Sequence, residues 1–259
     1  MKTRIIAGLC MLPLLVIVYL GKEALLVASF LISIIAYLEL SKGFSEMDIK
    51  LPLALGMAFS IIYYFPLAFK AHEFLLPAIM LVSIVALVYL FASRGKDVHS
   101  VFALVFSFVY VIVLPSSLYL LDFAGYGKII WLVLLISFGT DVFAYFTGFF
   151  IGKRKLCEDI SPKKTIEGAI GGILGSLVLA SLFGIIAYPQ HRYEFMLLGV
   201  LGSVVAQAGD LIASMLKRNM GIKDFGNLIP GHGGILDRFD SVILVSPFVY
   251  CYVSIFIMK

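Results

Sequence analysis

The chain has 259 residues, of which 61% are hydrophobic and only 14% charged, with a mean hydropathy of +1.05 and a net charge of +4. Soluble domains carry about a quarter charged residues, so this composition excludes an ordinary soluble protein and points to a membrane protein. No polar stretch is long enough to build a core of its own, so one membrane domain spanning 1–259 is expected.

A membrane-spanning helix needs roughly 20 mostly apolar residues. Nine such runs are expected, near 5–20, 24–40, 51–69, 73–92, 101–121, 128–152, 166–188, 194–216 and 241–258. The basic start, Met1-Lys2-Thr3-Arg4, imitates a signal peptide. No small-x-small cleavage pattern follows it, and it is read as an uncleaved first span. The third and fourth runs also allow a re-entrant pair. Cys10, Cys157 and Cys251 are scattered, so a disulfide framework is not expected. Glu39 interrupts the second run near its end, where it is expected to reach water.

Charge sets the orientation. The N-terminus and the loops after every second span hold 15 of the 20 Lys and Arg residues, and the other side holds 5. Basic residues accumulate in the cytoplasm, so the N-terminus is expected inside and the C-terminus outside. The two long polar loops, 153–165 and 217–240, then face the cytosol. The fold expected is an all-α integral membrane protein, a polytopic bundle of about nine transmembrane helices. Residues 1–125 serve as scaffold, and residues 126–259 carry the chemistry.

In the sixth run, Asp141 lies deep in SFGTDVFAYFTGFFIGK. A protonated Asp bonded to a neighbouring helix and a functional carboxylate are both open readings. Loop 153–165 leads into the seventh run through Ser161-Pro162, read as an N-cap followed by proline at the first helical position. Free N–H groups there, beside Lys163, Lys164 and Thr165, would suit a phosphate. Lys153, Arg154 and Lys155 fit lipid anchoring better. Gly168 with Gly172, and Gly171 with Gly175, are small-xxx-small pairs suited to helix packing.

In the eighth run Asp210 sits seven residues before Lys217, roughly 10 Å below the helix end. A carboxylate at such depth costs about 2–3 kcal/mol or more unless paired or hydrated. Ser203, Gln207, Ser214 and Lys217 share its helix face and suggest the polar wall of a wet cleft. An interhelical bond or a buried base is the bland alternative, but no span contains a deep Lys or Arg.

The stretch Ser214–Asp240 reads SMLKRNMGIKDFGNLIPGHGGILDRFD. Pro230-Gly231-His232-Gly233-Gly234 is no regular helix and permits close backbone approach to a ligand. Asp210 and Asp237 could share one Mg²⁺, a metal that takes one or two carboxylates plus waters and substrate phosphates. Lys217, Arg218, Lys223 and Arg238 would neutralise phosphate oxygens. For Asp224 or Asp240 singly, bracing the fold of the loop is an open alternative.

These residues match every position of the signature S-x-apolar-K-R-x4-K-D-x-small-x2-apolar-P-x-H-G-G-apolar-x-D-R-apolar-D, from Ser214 to Asp240. The stretch therefore resembles the phosphatidate cytidylyltransferase, or CDP-diacylglycerol synthase, family. SPKKTIEGAIGG at 161–172 and DVFAYFTGFFIGK at 141–153 are further family-like elements, and the likeness covers about the last 120 residues. The resemblance implies transfer of the cytidylyl group of CTP to phosphatidic acid, with Mg²⁺ required and a second cation conceivable. Catalytic groups would be Asp210, Asp237, Lys217, Arg218, Lys223 and Arg238, with Asp210 and Asp237 as metal ligands. Substrate contacts would come from Lys163, Lys164, Thr165, Ser214, Asp224, His232, Gly233, Gly234, Asp240 and Asp141. The partners implied are CTP, phosphatidic acid and membrane lipids, with no nucleic acid; a homodimer through glycine-rich or aromatic helix faces is reasonable. The site would face the cytosol from the cytoplasmic (inner) membrane. A CTP-dependent polyprenol or phytol kinase is the nearest alternative, and a secondary transporter relaying ions through Asp141 and Asp210 a more distant one.

Overall fold

The computed structural model describes residues 13–95, 98–228 and 233–257. His232, with Pro230 and Gly231, lies outside the described residues, as do Cys10 and the first residues of the run near 5–20. The fold is helical apart from one small hairpin. Helices are α1 (Lys22–Ser45), α2 (Leu53–Ala68), α3 (Leu75–Ala92), α4 (Val98–Ser107), α5 (Ser117–Phe123), α6 (Gly127–Ile151), α7 (Ile166–Ala187), α8 (Arg192–Asn219) and α9 (Leu236–Phe256). Strands β1 (Lys155–Cys157) and β2 (Ser161–Thr165) pair antiparallel between α6 and α7.

Among the described residues seven helical segments are long and apolar enough to cross a membrane, including His72–Ala92, Val98–Phe123 and Pro189–Asn219. Each falls within a few residues of an expected run. Helix α2, at 16 residues, is apolar but shorter. At 1.5 Å per residue it reaches about 24 Å, less than the roughly 30 Å hydrocarbon layer. Val98–Phe123 is not uniform: α4 widens into a π-turn at Phe108–Val113 and tightens at Leu114–Ser116 before α5. Pro115 accounts for this, because it lacks an N–H and its ring displaces the carbonyl four residues earlier. Many large apolar side chains point outward, among them Phe91, Phe149, Phe150, Leu174, Leu182 and Ile186. A soluble protein would not carry them in such number, and lipid covers them at no cost. The chain is an all-α integral membrane protein.

The residues form two compact units, one made of the chain up to Tyr119 with Asn219–Arg238, the other of Leu120–Arg218 with Phe239–Lys259. In the first, Tyr37, Leu40, Phe59, Leu67, Leu104 and Ile112 are fully buried. Several of its buried hydroxyls bond each other or carbonyls: Ser33 with Tyr64 at 3.0 Å, Tyr63 with Ser116 at 2.9 Å, and Tyr119 to the Leu67 carbonyl at 3.2 Å. Such pairing is what an apolar solvent demands of polar groups.

In the second unit α6 lies along α7 through glycines. A Cβ on Gly168 would stand 2.8 Å from the Ala144 carbonyl, and one on Gly172 would stand 3.0 Å from that of Thr140. Both neighbours are backbone and cannot yield. The small-xxx-small pairs thus serve close helix approach, as their spacing suggests. Ser176 donates to the Gly199 carbonyl at 2.9 Å, joining α7 to α8. Cys157 and Cys251 are free thiols.

Candidate active site

Within the second unit, four separate segments contribute charge to one cluster. Asp210 of α8 and Lys164 of β2 form an ion pair, Oδ2 to Nζ, at 2.5 Å, with each side chain about a quarter exposed (24% and 26%). Ser214, one turn along α8, donates its hydroxyl to Asp210 Oδ1 at 3.4 Å. Asp141 of α6 lies within electrostatic reach of both Asp210 and Lys164. Asp240 of α9 lies within reach of Asp210, Asp141 and Lys217. Gly209 makes room for this convergence: a Cβ there would stand 2.7 Å from the Asp240 carbonyl, so α9 can cross α8 close to Asp210.

Lys164 reaches Asp210 because of the hairpin. Lys155 pairs with Thr165, and Cys157 with Ser161. The hairpin leaves Pro162 and Lys163 exposed and Lys164 and Thr165 half-buried. This overturns the reading of Ser161-Pro162 as a helix start. The ladder with β1 satisfies the backbone there, Pro162 needs no N–H at such an edge, and the helix begins only at Ile166. Its N-cap is Thr165, whose Oγ1 accepts the Gly168 N–H at 3.1 Å. Glu167 in the first turn accepts the N–H groups of Lys153 at 3.0 Å and Arg154 at 3.2 Å, which ties the hairpin base to α7. Lys155 Nζ donates to the Pro162 carbonyl at 2.6 Å, and Arg218 Nε to that of Ile160 at 3.4 Å.

The polar stripe of α8 divides in two. Towards the Lys217 end, Asp210 and Ser214 belong to the charged cluster. Further down, Ser203 accepts a hydrogen bond from Thr140 at 2.9 Å and Gln207 donates to the Ala169 carbonyl at 3.1 Å. That lower half is interhelical bonding, not a wetted wall. The base that pairs with Asp210 comes from the hairpin and not from a span.

In the first unit the backbone at Phe225 and at Gly234–Leu236 is held by two carboxylates. Asp237 is buried at 8% exposure, and its Oδ2 accepts the N–H groups of Phe225 at 2.8 Å and Gly234 at 2.9 Å. The second carboxylate is Glu39 of α1, only 5% exposed. Its Oε1 accepts the Ile235 N–H and its Oε2 the Leu236 N–H, both at 2.9 Å. The expectation that Glu39 reaches water is therefore wrong. The signal for this is an acid inside an apolar run, which needs hydrogen-bond donors once it is buried. Gly233 is buried with φ +85°, a conformation that favours glycine, and Gly234 is buried beside it. Lys223 and Asp224 are exposed on the loop, and Arg238 is half-buried in the first turn of α9.

Among the described residues no group of three or more His, Cys, Asp or Glu side chains is close-set enough to hold a metal by itself. Mg²⁺ does not ask for that, since it takes one or two carboxylates and fills its remaining positions with water and phosphate oxygens. A donor set of that size would draw on Asp210 with Asp141 or Asp240, each of which lies within electrostatic reach of it.

The chain is similar to known proteins over nearly its whole length. The profile of the cytidylyltransferase family matches residues 2–256. A phosphatidate cytidylyltransferase of Bacillus subtilis (strain 168) is 35% identical over 270 aligned residues, covering 99% of this chain and 98% of the relative. Another from Staphylococcus haemolyticus (strain JCSC1435) is 31% identical, covering 95% and 94%. A third, from Synechocystis, is 45% identical over 127 residues, 47% of this chain and 43% of the relative. The likeness runs from the first span to the last helix and includes the segments that bear the charged cluster; the chain belongs to the cytidylyltransferase family.

Proposed function

We propose that the chain transfers the cytidylyl group of CTP to phosphatidic acid, giving CDP-diacylglycerol and pyrophosphate. The observation that carries this reading is the likeness, over nearly the whole length of both chains, to proteins named phosphatidate cytidylyltransferase. The site chemistry supports it. A phosphate oxygen of phosphatidic acid attacks the α-phosphorus of CTP, the bond to the bridging oxygen breaks, and its electron pair leaves with pyrophosphate. The nucleophile is already an anion, so no strong base is needed. The protein's task is to position two polyanions and offset their charge.

Lys164, held by Asp210, presents an oriented ammonium to an arriving phosphate oxygen. Lys217, Arg218, Lys223 and Arg238 are proposed to bind the triphosphate or the lipid phosphate, with Lys163 beside them on the exposed face of β2. Mg²⁺, held by Asp210 with Asp141 and Asp240, would neutralise charge on the reacting and leaving phosphates. Asp237 as a further ligand belongs to the same proposal; its Oδ2 already accepts two loop amides. The nine-span count, with the N-terminus in the cytosol and the site at the inner face of the cytoplasmic membrane, rests on the 15-to-5 asymmetry of basic residues.

The test is direct. Purified protein is incubated with CTP, phosphatidic acid and Mg²⁺, and products are separated. CDP-diacylglycerol and pyrophosphate are expected, with EDTA abolishing both. Release of CDP with a phosphorylated lipid alcohol would instead mark a lipid kinase, and solute flux into liposomes without nucleotide a transporter.

A further inference from the structure

We propose that Glu39 is a positioning residue for the reaction, setting the backbone of the glycine-rich loop although it lies on a helix near the other end of the chain. The inference rests on the cytidylyl-transfer reading above and extends it to a residue that touches no substrate. Four observations within the first unit carry it. Both oxygens of one buried carboxylate are spent on consecutive amides, Ile235 and Leu236, where the loop turns into α9. These are among the donors a helix start leaves without intrahelical partners, and a carboxylate is the acceptor that serves them best.

Second, two glycines of the loop are shaped to this carboxylate. A Cβ on Gly226 would stand 2.6 Å from Glu39 Oε1, and one on Gly234 would overlap the carboxylate outright. Third, the same face of α1 holds the loop one turn further on, where a Cβ on Gly43 would press on the side chain of Met220. Fourth, Asp237 gathers Phe225 and Gly234 from within the loop. The backbone next to Lys223 and Asp224, and that leading into Asp237, is therefore held by Asp237 and by Glu39. Removal of Glu39 would free the loop without removing any group that binds phosphate.

The experiment pairs amide hydrogen exchange with kinetics on the full-length protein in detergent or nanodiscs. In Glu39→Gln one N–H faces an amide NH₂ in place of an oxygen. Exchange across residues 233–238 should rise while that of α6 to α8 stays unchanged. The kcat for CDP-diacylglycerol formation should fall about ten- to hundred-fold, the value of one charge-assisted hydrogen bond. The KM for phosphatidic acid should stay within about twofold. Glu39→Asp keeps both oxygens on a shorter arm and should recover part of the lost kcat. Gly226→Ala leaves Glu39 in place but pushes on its carboxylate, and should give the same pattern if Glu39→Gln does not fold. Unchanged exchange, full kcat in both Glu39→Gln and Gly226→Ala, or loss of folded protein in all three variants overturns the inference. If the unaltered protein forms no CDP-diacylglycerol, it is the reading of function that falls, and the exchange data still report whether Glu39 holds the loop.

Discussion

Lys164 and Asp210 show how a charge is kept inside a membrane helix. A carboxylate at that depth is tolerated when an ammonium reaches it, and the ammonium arrives on a strand instead of a span. Removing one partner leaves the other in a poor solvent. Lys164→Met should therefore lower thermal stability in detergent by roughly 1–3 kcal/mol and kcat/KM by about two orders of magnitude. Asp210→Asn should cost similar activity and shift the Mg²⁺ dependence to higher concentration. The double variant should lose far less than the sum, since the two act as one unit. Additive losses measured in that cycle would show that the pair is incidental. Full activity of Asp210→Asn at limiting Mg²⁺ would remove it as a ligand.

The hairpin and the α6–α7 pair are the elements on which the cluster stands. Thr165 caps α7, and Thr165→Ala should cost about 1 kcal/mol of stability. Activity should fall with it, because Lys164 is the residue before the cap. Gly168 is stricter. A side chain there meets the backbone carbonyl of Ala144 and the Cα of Gly148, so Gly168→Val should cost about 1–3 kcal/mol or more through helix separation. Thermal midpoints of the purified variants check both, and a neutral Gly168→Val would contradict the close approach. Hydropathy made the long helices legible because burial in lipid depends only on a local run of apolar residues. The hairpin was not legible. Ser161-Pro162 is a good helix start by local propensity, and only the ladder to β1, a tertiary pairing, competes it away.

For the molecule as a whole, orientation is the testable consequence of composition. In a cysteine-free background, single cysteines at Glu158 and Asn227 should react with a membrane-impermeant maleimide only when the cytosol is opened. One at Gln190 should react from outside. All three positions are exposed, so labelling reads side and not burial. Labelling of Asn227 from outside intact cells would overturn the cytosolic site. The sequence by itself determined the membrane class, the positions of the long apolar helices among the described residues to within a few residues, and the charged stretch that carries the family signature. Each of these is written in contiguous residues: hydropathy over about 20 positions, or fixed types at fixed spacing. Only the tertiary structure decided which charge answers which. Glu39 lies 196 residues before the amide of Ile235 that it holds, and Lys164 reaches Asp210 across a whole intervening helix. No local pattern encodes such pairs, because a buried carboxylate specifies that it needs donors without specifying where in the chain they are.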